Sequence, residues 1–169
     1  MNNLINEVRK YKGLNEYAEK GQIAVFGDSY TAHFPFYDLM QGKVTDYAVY
    51  NRSMDGITVK EASDIAEYCL YHLQPATVLL CFGENEEQDN AFVSEYRLLI
   101  KKIKSIEKKC IICLLEHDAE PKNRISDIAV SEKCNYLFIP SDMEDGRVFH
   151  KLNALFRGGK ISFWDAFSV

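Results

Sequence analysis

Apolar and polar positions follow two different periods along this chain. Nearly continuous apolar runs at about 22–26, 45–50, 76–82, 110–115 and 135–139 predict five buried strands. Between them, apolar residues recur three and four apart, the spacing of one helix face. Val59, Ala62, Ile65, Ala66 and Leu70 give such a face to a helix opened by Thr58 and running to about 73. Other helices are predicted at 2–19 with a break near Gly13, and at 34–40, 90–108, 122–134 and 148–157. Residues 76–82 lack the alternation of a half-exposed strand, so both faces are covered, as in a parallel sheet between helix layers. Strands alternating with helices predict an α/β fold: a three-layer α/β/α sandwich around a mostly parallel five-stranded sheet. The aromatic tail Ile161-Ser162-Phe163-Trp164 fits either a sixth strand or a segment packed over a sheet edge.

A length of 169 residues suits one core, and no repeat or linker divides it, so residues 1–169 are expected to form a single domain. The net charge of −5 comes without a basic stripe. Lys101, Lys102, Lys104, Lys108 and Lys109 fall on the outer face of a predicted helix, which argues against nucleic-acid binding. The N-terminus lacks the basic start and apolar core of a signal peptide, and no apolar run approaches the ~20 residues that span a bilayer. The expectation is a cytoplasmic protein with no membrane association. Cys110 and Cys113 have C-x-x-C spacing, but they lie in a strand and point to opposite faces, so they share neither metal nor disulfide.

The chemistry gathers where the strands end. The first strand is followed by Gly27-Asp28-Ser29, the second by Asn51 to Gly56 and the third by Gly83-Glu84-Asn85-Glu86. His117 follows the fourth, and the fifth leads to Asp142, Asp145 and His150. In a parallel sheet these ends meet at one edge, where loops splay apart to form a ligand crevice. Asp28 or Ser29 also suits a helix N-cap.

These blocks, in this order and each behind its strand, resemble the SGNH hydrolases, also called the GDSL esterase/lipase family. The family's Gly-Asp-Ser is matched by Gly27-Asp28-Ser29, its Asn and Gly by Asn51 and Gly56, and its Gly-x-Asn-Asp by Gly83-Glu84-Asn85-Glu86 with Glu last. The resemblance spans nearly the whole chain and implies a flavodoxin-like fold. It implies that Ser29 is a nucleophile attacking an ester carbonyl, and that the Ser29 N–H, Gly56 N–H and Asn85 amide form an oxyanion hole. It implies a small-molecule or carbohydrate O-acyl ester as substrate, and no cofactor or metal.

The family's last block, Asp-x-x-His, is altered. Three residues before His150 stands Arg147, and Asp145 is five before it. Five residues turn a helix by about 500°, so Asp145 orients His150 as base only if the chain bends between them, as at Gly146. Asp142 is a further candidate orienting group, and His117 is the rival base. His33, four residues beyond Ser29, shares a helical face with it and edges the expected pocket. His72 lies at the wrong end of its helix. Glu84, Glu86 and Glu87 suit helix N-terminal solvation better than a metal. Against the esterase stands one alternative: a catalytically impaired binding protein for an acylated or glycan ligand, or for a protein partner.

Overall fold

Alternate residues of a strand leave on opposite faces, and this chain covers both faces of each central strand with helices. The computed structural model describes residues 2–157; the aromatic tail lies outside them. Strands β1 (Ile23–Gly27), β2 (Val49–Asn51), β3 (Thr77–Cys81), β4 (Ile111–Asp118) and β5 (Asn135–Pro140) form one sheet in the order β2-β1-β3-β4-β5. Every pairing is parallel.

Ala24 and Phe26 of β1, with Val78 and Leu80 of β3, join a core against α1 (Asn2–Asn15), α4 (Val59–Leu70), α5 (Asn90–Ile106) and α6 (Arg124–Glu132). Ile23, Val25, Leu79 and Cys81 join a second core against α3 (Phe36–Met40) and α7 (Asp145–Phe156). Fully buried Phe26, Tyr96 and Phe149 anchor these layers, and side chains of this size contribute about 1.5–3 kcal/mol each on burial. The C-x-x-C pair divides as its strand position requires: Cys110 packs on the first core and Cys113 lies in the second.

The element order holds, but β2 is confined to Val49–Asn51 and does not cover the 45–50 that the pattern predicts, and four further differences stand beside it. A five-residue helix, α2 (Ser29–His33), follows β1 directly. Gly13 lies inside α1, which ends at Asn15. β4 continues through Glu116-His117-Asp118, because its neighbour β5 offers partners as far as Pro140. α7 begins at Asp145, not near 148.

β1 lies between β2 and β3, so the loops leaving β1 and β3 part at the switch point of the sheet. Backbone bonds splice this point together. Met54 N donates to Gly27 O at 3.0 Å and Asp28 N to Cys81 O at 2.9 Å. A Cβ on Gly27 would sit 2.3 Å from Thr31 Oγ1 and 2.5 Å from Cys81 O, so only glycine fits here. Because Cys81 O is strand backbone, it has little room to yield. Gly27→Ala is therefore expected to lose stability at the upper end of the ~1–3 kcal/mol typical of overpacking, measured by urea denaturation.

Candidate active site

Three loops converge at the switch point, and each is held by a different device. The first carries Asp28 and Ser29. Asp28 stands at the N-cap position of α2 by its backbone, but its carboxylate does not cap that helix. Asp28 Oδ2 instead accepts from Gly83 N and Glu84 N, both at 3.0 Å, and so ties the end of β1 to the loop after β3. Burial raises this carboxyl from its ordinary 3.8 to about 6, against the opposing pull of the two N–H groups.

The second loop follows β2. Asn51 Oδ1 accepts from Ser53 N at 3.0 Å, while Asn51 Nδ2 donates to Thr31 O at 2.8 Å, pinning the loop to α2. Arg52 is buried with its guanidinium over the rings of Tyr11 and Tyr50, and its Nε donates to Asn15 Oδ1. Tyr11 Oη donates to Ser53 O at 2.6 Å, so α1 braces the loop from outside. The chain then reaches Gly56 at φ +72°, a left-handed conformation that glycine adopts without penalty. The third loop follows β3 through Gly83 to Asn85. Glu86, expected to solvate the next helix, reaches elsewhere: its Oε1 accepts from Val59 N at the start of α4.

At the centre, Gly56 N donates to Ser29 Oγ at 2.9 Å and Asn85 Nδ2 donates to it at 3.0 Å. Ser29, Gly56 and Asn85, distant in sequence, are thus brought together as their motifs suggested. Ser29 opens a shallow depression of about 310 Å³, lined also by Tyr30, His33, Phe34, Glu84 and Asp145. His33 further borders a groove of about 410 Å³ between α1 and the Ser53–Ile57 loop, lined by Glu7, Lys10, Asp55 and Glu61 among others.

The expected Asp145–His150 pair is not formed. α7 runs unbroken from Asp145 to Phe156, and Gly146 introduces no bend. The two residues therefore lie about 140° apart around its axis. Asp145 lines the depression, whereas His150 is exposed and no hydrogen bond or ion pair joins it to Asp145. Asp142 is exposed in the turn ahead of the helix. The rival His117 lies flat against Tyr30, with ring centroids 3.6 Å apart and planes 9° from parallel. Its flanking carboxylates are occupied: Glu116 accepts from Tyr136 Oη and Lys122 N, and Asp118 pairs with Lys122. Burial pushes the His117 imidazole below its usual range, so it is neutral at pH 7. His33 does hold a carboxylate, with its Nε2 at 3.1 Å from Asp55 Oδ1.

With its all-parallel five-stranded sheet between helix layers, the chain has the fold of the SGNH, or GDSL-like, hydrolases. A GDSL-like lipase from Bacteroides thetaiotaomicron superposes with TM-score 0.64 at 14% identity, over 78% of this chain and 77% of that one. The lipase/acylhydrolase from Enterococcus faecalis gives TM-score 0.60 at 18% identity, over 83% and 95%. A two-domain esterase active on acetylated mannans gives 0.64 at 16%, over 94% of this chain and 53% of its own. No protein-family model and no curated protein matches the chain. Among the described residues, no helix is long and apolar enough to cross a membrane.

The Asp28 carboxyl gives the site a pH signature. Its value rises on folding, so the folded state holds the proton more tightly and stability falls as pH climbs from about 4 to about 6. At 1.36 kcal/mol per pH unit the loss is on the order of 3 kcal/mol. Asp28→Asn keeps a carbonyl acceptor for Gly83 and Glu84 but cannot ionise. The decline measured by denaturation between pH 4 and 6 is expected to be smaller in this variant by about that amount.

Proposed function

We propose that this protein is a serine ester hydrolase that cleaves small O-acyl esters through an acyl-enzyme on Ser29. The observation that carries this reading is the convergence of Gly56 N–H and the Asn85 amide on Ser29 Oγ. In the resting geometry the hydroxyl occupies the place an oxyanion takes. Rotation about the Ser29 Cα–Cβ bond frees both donors for a substrate carbonyl oxygen and leaves Oγ beside the carbonyl carbon. Negative charge then develops where two fixed donors already point, which is where such donors lower the barrier most.

The two hollows meeting at His33 divide the substrate. The depression beside Ser29 is small and carries Tyr30, Phe34 and Pro35, which suits a short acyl group. Glu84 and Asp145 on its wall repel a carboxylated acyl chain and favour a neutral one such as acetyl. The groove beside Asp55 presents Glu7, Lys10 and Glu61, hydrogen-bonding groups that suit a hydroxyl-rich alcohol such as a sugar. The likeness in fold to an esterase active on acetylated mannans supports this substrate class. The separation of Asp145 from His150 favours a second reading, a binding protein without turnover.

A fluorophosphonate probe followed by peptide mapping decides between them. The hydrolase is expected to carry one adduct, on Ser29, absent from Ser29→Ala. Asn85→Ala is expected to lower turnover of acetyl esters by about 10²–10³, the usual effect of losing one such donor. A folded protein that takes no adduct is a binding protein instead.

A further inference from the structure

The hydrolase reading requires a proton acceptor for Ser29, and the loop that carries Gly56 offers one. Ser29 Oγ accepts from Gly56 N and Asn85 Nδ2, which engages both hydroxyl lone pairs, and its proton has Asn85 Oδ1, at a long 3.4 Å, and the Asp55 carboxylate as its acceptors. Asp55 immediately precedes Gly56, whose N–H contact at 2.9 Å fixes this part of the loop beside Ser29. His33 lies one helical turn beyond Ser29 on α2, and its Nε2 is 3.1 Å from Asp55 Oδ1. A carboxylate only accepts, so Nε2 carries the proton in that bond. Hydrogen bonds from Ser29, then from His33, hold the Asp55 carboxylate below its usual range.

We propose that Asp55 is the general base for Ser29 and that His33 is the positioning residue that holds it. The inference rests on the hydrolase reading above. As Oγ attacks, the O–H bond breaks and its proton passes to Asp55 while the Oγ–C bond forms. The carbonyl electron pair moves onto the oxygen facing Gly56 and Asn85. Collapse breaks the bond to the alcohol, which leaves with the proton from Asp55. In the second half, water gives a proton to Asp55 and hydroxyl to the acyl carbon, and Oγ leaves as it recovers that proton. Nothing besides ester and water is consumed.

The carboxylate and an imidazole base differ in their response to acid. A base with an ordinary histidine value loses about tenfold in rate per pH unit below ~6.5, whereas Asp55 stays ionised to well below 5. The groups around the pair are Glu7 and Lys10 of α1, Glu61 of α4, Glu84, Asp145 and, beneath Ser29, Asp28. Lys10 is paired with Glu7, and Glu61 is engaged in the capping box with Thr58. Asp28 titrates near 6, inside the window of interest, so each profile is measured in wild type and in Asp28→Asn.

The test is the second-order rate of fluorophosphonate labelling at Ser29 from pH 4 to 8, with folding verified by circular dichroism. In the Asp28→Asn background the rate is expected to hold level from pH 7 down to about 5. Asp55→Ala is expected to label at least 100-fold more slowly at every pH. His33→Ala is expected to label more slowly and to move the acid limb to higher pH, since one of the hydrogen bonds depressing Asp55 is gone. His33→Gln, which restores an N–H donor, is expected to recover part of both effects. Asp55→Ala labelling at the wild-type rate overturns the assignment. So does loss of labelling in His117→Ala or His150→Ala while Asp55→Ala is unaffected. In both cases Ser29 still takes the adduct and the hydrolase reading stands. A wild-type protein that takes no adduct overturns both.

Discussion

The site depends on one buried carboxylate that joins two strands. Asp28 spans from the end of β1 to the N–H groups of Gly83 and Glu84, just before Asn85. Without that acceptor the two N–H groups would face a low-dielectric interior unpaired, at about 1–3 kcal/mol each. Burial nevertheless outweighs the two bonds, since the carboxyl titrates near 6 and not below 4. At neutral pH the fold thus carries this carboxyl ionised at a cost relative to its protonated form. What that cost secures is position: the turn bearing Asn85 is tied to the turn bearing Ser29.

The opposite arm is held by different physics. Among the described residues Arg52 has no carboxylate partner; its buried charge rests on two aromatic faces, on the side-chain oxygen of Asn15 and on Asn51 O. Desolvation lowers its value, as expected of a cation taken from water. These contacts connect α1 to the loop that ends in Gly56, making a helix that precedes the sheet part of the frame of the candidate site. The same helix walls the groove beside Asp55. Loop position and groove shape are therefore one structural fact.

Much of this was legible from the chain. Strand cores show because residues 77–81 must be apolar on both faces, and Ser29, Gly56 and Asn85 show because each sits in a short motif directly behind a strand. The five-residue α2 is too short to display a helical period. Asp145-Gly146 looks like turn chemistry, yet the packing of Val148, Phe149 and Leu152 carries the helix back through it. The roles of Asp28 and Arg52 depend on hydrogen-bond partners 37 to 56 residues away and on burial, which no local pattern encodes. The pairing of Asp55 with His33, 22 residues away, is likewise set by the fold and by no local pattern.

The geometry of α7 accounts for the proposed placement of the base on the loop side. A residue three positions after Asp145 shares its helix face, and that position is Val148, fully buried in the second core. A histidine there would bury an imidazole in apolar packing and leave a cavity or a clash. His150 escapes that constraint only by pointing to solvent, away from the face Asp145 occupies. The helix can therefore place a carboxylate beside Ser29 or a histidine in water, but not a coupled pair. Across the site, the i to i+4 spacing of Ser29 and His33 and the adjacency of Asp55 to Gly56 impose the opposite outcome. In the proposed arrangement a carboxylate serves Ser29 and an imidazole backs that carboxylate, with the two groups in reversed order.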